Sequence, residues 1–217
     1  MPDAIAYEAE LTTVLPQDLP NRERVISVCA AHLSRISEIN PFMNLTRVVD
    51  PREAALKHVL DSLFPWRELE GADTVLDLGT GPGFPGIPLA AALPGSRFTL
   101  AESTKKKAQF VDDSADAVHL DNVTVLAERG EDILRTRRFS TTVARAVAPL
   151  PRLLKLLGPH VANCGRLLLY KGPDAETELA EAAPEMRRLR LTSRILRYEL
   201  PFGTGSRTLI ELTRKAG

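Results

Sequence analysis

From about residue 71 onward, short apolar runs alternate with amphipathic stretches. The apolar runs predict buried strands, and the stretches between most of them repeat with helical spacing. Such alternation predicts an α/β fold, in which a mostly parallel sheet carries helices on both faces and a closing pair of strands lies antiparallel at one edge. The predicted strands cover residues 75–78, 97–101, 122–126, 139–146, 166–170, 191–200 and 207–213.

The first 70 residues show the 3.6-residue periodicity of helices instead. A helix is predicted over residues 19–39, where Asn40-Pro41 ends it. Asp50-Pro51 predicts the N-cap and first position of another helix, which continues to about residue 64. We therefore expect residues 1–70 to form a helical cap and residues 71–217 to form the core.

Residues 74–88 read T-V-L-D-L-G-T-G-P-G-F-P-G-I-P, in which an apolar strand stops at closely spaced glycines. Glycine allows unusual backbone angles and close approach of a ligand. A short helix over residues 87–93 follows, and Pro94-Gly95 ends it. A strand, a glycine loop and a helix in this order predict a seat for a nucleotide-like molecule at the carboxyl edge of the sheet.

Two cofactor classes and one structural alternative fit this loop. Residues 81–86 satisfy the dinucleotide fingerprint G-x-G-x-x-G, which is a weak signal alone. The acid Asp77 inside the strand, the early glycine Gly79 and the prolines within the loop favour S-adenosylmethionine, which has no phosphates to bind. Glu102 follows the second strand, where a carboxylate can accept hydrogen bonds from ribose hydroxyls of either cofactor. The structural alternative is an ordinary tight turn.

Later segments bring more polar groups to the same edge. The loop 128–132 is expected near the adenine of such a cofactor, and the fourth strand delivers Arg145. The residues after Arg145 lack the Pro-Pro-aromatic and Pro-Cys patterns of amino-group and cytosine-C5 methylases. His58 and Asp61, three residues apart on a predicted helix, share a face; they form either a catalytic pair or, more commonly, a hydrogen-bonded structural pair.

Charge is distributed unevenly, although the formal net charge is zero. Residues 1–142 carry 15 basic and 21 acidic side chains, whereas residues 143–217 carry 13 basic and 7 acidic ones. A basic face toward RNA phosphates is compatible with this asymmetry, and so is a set of solvated arginines. Two cysteines and no apparent signal peptide or membrane span predict a cytoplasmic protein without disulfides or a metal site.

Several motifs together resemble one family. They are Asn44-Leu45-Thr46, residues 58–62 (H-V-L-D-S), residues 79–88, Arg145-Ala146-Val147-Ala148 and Lys171-Gly172. The chain over residues 40–215 is similar to the RsmG (GidB) family, the ribosomal RNA small subunit methyltransferases G. The resemblance implies a Rossmann-like methyltransferase fold and methyl transfer from S-adenosylmethionine to N7 of one guanine in 16S ribosomal RNA.

The resemblance also implies a set of cofactor contacts. These are Gly79, Phe84, Gly130, Glu131 and Arg145, with Glu102 at the acidic position and Gly81 beside the bound molecule. Guanine N7 has a free lone pair, so no general base is expected and catalysis is mostly alignment. No catalytic residue is predicted; Arg145, Lys171 and Asn44 are candidates for positioning the substrate. We expect a monomer acting on 16S ribosomal RNA or on a small-subunit assembly intermediate.

Two other functions are open from the residues alone. A dinucleotide-dependent oxidoreductase would bind NADH in the same loop, and a non-catalytic RNA-binding module would retain only the cofactor fold. Calorimetry with S-adenosylmethionine and with NADH distinguishes the oxidoreductase from the methyltransferase. Methyl transfer from labelled cofactor to small ribosomal subunits distinguishes the non-catalytic module from the methyltransferase.

Overall fold

The fold is a seven-stranded sheet covered by helices on both faces, seen in a computed structural model that describes residues 2–203 and 205–215. The strand order is β3-β2-β1-β4-β5-β7-β6. The first five strands pair in parallel, and β7 pairs antiparallel with both β5 and β6. The strands are β1 (Thr74–Leu78), β2 (Arg97–Ala101), β3 (Val123–Leu126), β4 (Thr141–Arg145), β5 (Arg166–Lys171), β6 (Leu191–Leu200) and β7 (Gly205–Arg214).

Helices precede the sheet and then alternate with its strands. Before β1 lie α1 (Ala4–Val14), α2 (Arg22–Met43), α3 (Pro51–Ala54), a π-helical segment (Ala55–Leu60), α4 (Asp61–Leu63) and a 3-10 turn (Trp66–Leu69). Within the core lie α5 (Gly86–Ala92), α6 (Lys105–Ala117), α7 (Gly130–Thr136), α8 (Leu150–Leu157), a 3-10 segment (Gly158–Asn163) and α9 (Ala175–Arg188).

Alternation along the strands divides the core into two hydrophobic clusters. Leu76 and Leu78 of β1 belong to the cluster with α7, α8 and α9, whereas Val75 belongs to the cluster with the N-terminal helices and α5. Because successive side chains point to opposite faces, Asp77 lies on the same face as Val75. The N-terminal helices therefore pack directly on one face of the sheet, within a hydrophobic cluster shared with residues as late as Leu209.

The second helix is longer than its sequence predicts. Pro41 does not end α2, which continues to Met43 and ends at Asn44 in the left-handed conformation with φ of 49°. Proline this close to a C-terminus removes only one hydrogen bond of the last turn. The Asn40 side chain then joins the helix to the following segment, donating to the Thr46 carbonyl at 2.8 Å and accepting from the Thr46 amide at 2.9 Å.

The segment that begins at Asp50-Pro51 was predicted as one regular helix and is not regular. The Asp50 side chain caps it as expected, accepting from the Glu53 amide at 2.9 Å. After α3, however, residues 55–60 are π-helical. A π turn contains more residues than an α turn, so positions three apart no longer share a face. This irregularity separates His58 from Asp61.

Other predicted boundaries need smaller corrections. Residues 130–132 are the first turn of α7 and not loop. Thr104, the N-cap residue of α6, makes no side-chain capping bond, and its amide donates to Glu102 Oε1 at 2.7 Å. Strand β4 is shorter than predicted, and α8 passes into a 3-10 segment after Leu157.

Candidate active site

The turn after β1 is built largely from its own residues; we call residues 79–86 the β1 turn. The Phe84 and Gly83 amides both donate to the Thr80 carbonyl, at 2.9 and 3.0 Å. The Thr80 amide donates to the Ala101 carbonyl at 2.9 Å, which ties the turn to the end of β2. Gly79 has a φ of 75°, a conformation that L side chains rarely adopt. The turn thus holds a fixed shape at the carboxyl edge.

Asp77 organises this turn from inside the strand. One oxygen, Oδ2, accepts from the Thr80 hydroxyl at 2.6 Å and from the Gly86 amide at 2.8 Å. The other oxygen, Oδ1, is buried and has no hydrogen-bond partner among the residues that the structure describes. Burial raises the pKa of Asp77 to about 6, against the two hydrogen bonds that lower it. A buried acceptor without a partner is a candidate ligand contact.

A cavity of about 230 Å³ opens beside the β1 turn, and we call it the glycine cavity. It gathers residues that are distant in sequence, because the carboxyl ends of parallel strands share one edge. Three predicted cofactor contacts, Gly79, Gly130 and Glu131, line it together. The other lining residues are Leu78, Ala101, Ser103, Glu128, Arg129, Val147, Ala148, Arg152 and Leu156.

Gly130 is required by packing at this edge. A Cβ built on it would lie 2.8 Å from Leu78 Cγ, so any side chain would force α7 away from the end of β1. The close approach brings the first turn of α7, with Glu131, against the cavity. Glu131 also lies 3.7 Å from the Arg129 guanidinium.

The other predicted cofactor contacts are placed differently. Glu102 is buried between two lining residues, Ala101 and Ser103, and does not itself line the glycine cavity. Gly81 has a φ of 59°, and a Cβ built there would meet no atom within 4 Å. Phe84 is buried, with its ring stacked on His58 at 4.8 Å between centroids and with Arg145 above it at 5.6 Å. Open space beside Gly81 leaves room for a ligand there.

A second cavity of about 490 Å³ adjoins the first, and we call it the arginine cavity. Arg145 and Lys171 line it, as do Asp61, Tyr170 and Arg207. The remaining lining residues are Ala146, Val147, Ala148, Pro149, Gly172 and Glu178. Val147 and Ala148 line both cavities, so residues 146–149, which we call the β4 loop, form a shared wall. Asn44 lines neither cavity.

Asp61 connects the N-terminal helices to the arginine cavity. Its Oδ2 lies 3.2 Å from the Arg145 guanidinium, and its Oδ1 accepts from Arg207 Nε at 3.0 Å. Arg145 also donates to the Lys57 carbonyl at 3.2 Å. The Tyr170 hydroxyl donates to the Ser62 carbonyl at 2.7 Å. The π-helical segment and α4 are therefore fixed to β4, β5 and β7 at the site.

His58 does not pair with Asp61, so neither predicted form of that pair is found. Its Nε2 lies 2.9 Å from the Thr46 hydroxyl, while its ring stacks on Phe84. Burial and the nearby Arg145 charge lower the pKa of His58 to about 4. The imidazole is consequently neutral at pH 7 and supports the β1 turn from the cap side. Sequence reasoning could not find this role, since the π-helical segment changes the residue spacing.

Comparison with known proteins identifies the family. The family model described as GidB, rRNA small subunit methyltransferase G, matches residues 26–198. A protein of Solibacter usitatus named ribosomal RNA small subunit methyltransferase G is 52% identical over 209 residues, covering 96% of this chain and 100% of that protein. This chain belongs to the GidB family. A Sorangium cellulosum protein of the same name is 43% identical, covering 76% of this chain and 72% of that protein.

Solved structures place the GidB-family chain among methyltransferase folds. The O-methyltransferase from Bacillus cereus in complex with SAH has a TM-score of 0.58 at 18% identity, with 98% of each chain covered. The METTL16 methyltransferase domain has a TM-score of 0.59 at 13% identity, with 99% and 93% of the two chains covered. The predicted seven-stranded Rossmann-like fold is confirmed.

The described residues contain neither a membrane-spanning helix nor a cluster of metal ligands. No helix within residues 2–203 and 205–215 is both long and apolar enough to cross a membrane. In the same residues, no group of three or more His, Cys, Asp or Glu side chains is placed to hold a metal ion.

Proposed function

We propose that this GidB-family chain transfers a methyl group from S-adenosylmethionine to N7 of a guanine in 16S ribosomal RNA. The observation that carries the proposal is the pair of adjoining cavities at the carboxyl edge of the sheet, which share Val147 and Ala148 as a wall. One cavity is bounded by the β1 turn and the other by basic side chains. A donor in the first cavity would face an acceptor in the second.

The residues around the glycine cavity fit S-adenosylmethionine, which supplies a methyl group on a positively charged sulfur when bound. Gly79 and Gly130 present backbone without side chains to the cavity. A Cβ at Gly81 would meet no atom within 4 Å, so there is open space in the same turn. Asp77 Oδ1 is a buried carboxylate oxygen still lacking a partner in the described chain, and an ammonium group would satisfy it. We assign Glu102 to the ribose hydroxyls and Glu131, in the segment predicted near the adenine, to the adenosine part of the cofactor, as the sequence predicts.

The chemistry of guanine N7 suits a site without a proton acceptor. N7 has a lone pair and no proton to lose, so holding the reacting atoms about 3–3.5 Å apart and in line is the main requirement. His58 is engaged with Thr46 and Phe84, and Arg145 is permanently charged, so neither serves as a base. Asp61 also lines the arginine cavity, but both of its oxygens are paired, with Arg145 and Arg207, so its role there is to hold these two side chains.

The arginine cavity has groups suited to RNA. Arg145, Lys171 and Arg207 line it and can donate to phosphate or base acceptors. Asn44 remains a candidate for contact with RNA outside the two cavities. The proposed partner is 16S ribosomal RNA or an assembling small subunit, bound by a monomer in the cytoplasm.

Methyl transfer to isolated small subunits tests the proposal. The chain would be incubated with labelled S-adenosylmethionine and small subunits from cells that lack this activity, and the RNA would be cleaved chemically at N7-methylguanine. One labelled guanine is the expected result. Calorimetric binding of NADH but not S-adenosylmethionine would favour an oxidoreductase. Binding of subunits without methyl transfer would favour the non-catalytic module.

A further inference from the structure

The β4 loop has an unusual backbone at the wall between the two cavities. Ala146 has a φ of 55°, in the left-handed region that non-glycine residues rarely occupy. Val147 Cγ2 lies 3.0 Å from the position that a Cβ on Gly79 would take, so the wall rests against the end of β1. A left-handed alanine persists only where neighbouring groups fix it.

Two side chains outside the loop fix the residues that follow Ala146 and Val147. Lys171 Nζ donates to the Ala148 carbonyl at 3.0 Å and to Glu178 Oε2 at 2.7 Å. The same Glu178 oxygen accepts from the Leu150 amide at 2.6 Å. Pro149, the N-cap residue of α8, makes no side-chain capping bond, so Glu178 of α9 provides the cap from another helix. The C-terminal end of the loop, from Ala148 to the start of α8, is thus held by one ion pair.

This ion pair is well shielded from water. The Lys171 and Glu178 side chains are 10% and 23% exposed. In the surface pair of Arg197 and Glu176, by contrast, the side chains are 63% and 68% exposed. Shielded, charge-assisted hydrogen bonds are stronger and more directional than surface ones. The loop position therefore depends on Glu178, although Glu178 lies outside the glycine cavity.

We propose that Glu178 is a positioning residue for methyl transfer, which holds the β4 loop so that the two cavities meet in alignment. This inference rests on the proposed function. It predicts an effect on the cofactor in the absence of RNA, because the shared wall would shift when its support is removed. A residue that only contacted RNA would leave cofactor binding unchanged.

Glu178→Ala tests the proposal by three measurements: the Kd for S-adenosylmethionine without RNA, and kcat and KM for small subunits. We expect the cofactor Kd to rise about threefold to tenfold. We expect kcat to fall about tenfold to a hundredfold, as small misplacements do in alignment-driven catalysis. The KM for subunits should stay constant or fall, because the freed Lys171 ammonium adds positive charge to the arginine cavity.

Two further variants make the result specific. Glu178→Gln keeps an acceptor for the Leu150 amide but removes the ion pair, so its kcat and cofactor Kd should lie between those of the wild type and Glu178→Ala. Glu181→Ala, at an exposed position of the same helix, should leave both unchanged. Thermal unfolding of all variants separates misplacement of the wall from loss of folding.

The outcomes that overturn the proposal are distinct from failure of the proposed function. An unchanged cofactor Kd with a raised KM for subunits would make Glu178 an RNA contact. Unchanged values throughout, with an active wild type, would remove Glu178 from the site. A wild type that transfers no methyl group would overturn the proposed function, and this inference with it.

Discussion

The β1 turn and the β4 loop lie at the same edge of the sheet but are held in different ways. The β1 turn is fixed mainly by Asp77, which lies two residues before it and accepts from Thr80 and Gly86. The β4 loop is fixed by Lys171 and Glu178, which lie more than 20 residues beyond it. Local sequence therefore encodes the first segment, whereas the completed tertiary structure determines the second.

The largest expected effect comes from filling the β1 turn. Gly81→Asp introduces a side chain into open space at a φ of 59°, and we expect it to weaken S-adenosylmethionine binding more than about a hundredfold. Calorimetry measures the effect. Gly71→Asp, in an exposed turn with a φ of 76° where a Cβ also meets no atom within 4 Å, is the matched control. Equal affinity in the two variants would place the cofactor elsewhere.

Asp77→Asn tests the buried acid that fixes this turn. Because the pKa of Asp77 is raised from 3.8 to about 6, its contribution is full below pH 3.8 and is lost as pH rises through 6. The free energy of unfolding of the wild type should therefore fall relative to the variant by about 2 to 3 kcal/mol between pH 4 and 7.5. Urea unfolding at several pH values measures the difference. If the free energies of unfolding of the wild type and the variant changed in parallel with pH, the prediction would be contradicted.

The same substitution should also act on binding. At pH 7 the wild-type carboxylate is mostly charged and has lost the stability that it contributes at low pH, whereas the variant lacks the charged oxygen that would meet an ammonium group. We expect its S-adenosylmethionine affinity to fall about tenfold. Loss of affinity in a variant that also loses the fall of stability with pH would show that the buried charge is retained for the ligand.

Arg145→Lys tests the connection between the β4 region and the cap. Lysine cannot reproduce the planar contacts of arginine with Asp61 and the Lys57 carbonyl, and we expect a loss of about 2 kcal/mol in unfolding free energy. The loss is limited because Arg207 still pairs with Asp61. Arg67→Ala, which breaks an exposed pair with Asp18, should cost less than about 1 kcal/mol. Equal losses would contradict the distinction.

The effect expected on the cap side of the β1 turn is a gradual slope of stability with pH. Since the pKa of His58 is lowered to about 4, the folded state binds fewer protons than the unfolded state between pH 4 and 6.5. Stability should decrease by about 1.4 kcal/mol per pH unit as pH falls through this range, and His58→Asn should remove that portion of the slope. Exposed His119→Asn is the control. An unchanged slope in the His58 variant would contradict the assignment.

The β1 turn and the β4 loop also show which features the sequence could predict and which it could not. The order of strands and helices, the antiparallel pair and the glycine turn follow from local patterns that the fold does not override. The π-helical segment could not be predicted, because nothing in the residue spacing of positions 55–60 distinguishes it from a regular α-helix. Likewise, the support of the β4 loop by Glu178 joins residues that no local spacing relates. The cap boundary at residue 70 and the individual cofactor contacts remain predictions.

The shared hydrophobic cluster also affects how the chain is synthesised. The helices before β1 emerge first, yet their apolar faces pack against Leu168, Tyr170 and Leu209 of late strands. Until β5 and β7 have left the exit tunnel, the part of that surface that faces these two strands lacks its native cover and is prone to association with other nascent chains. A molecular chaperone that shields the early helices would therefore have to act until nearly the whole polypeptide has been translated.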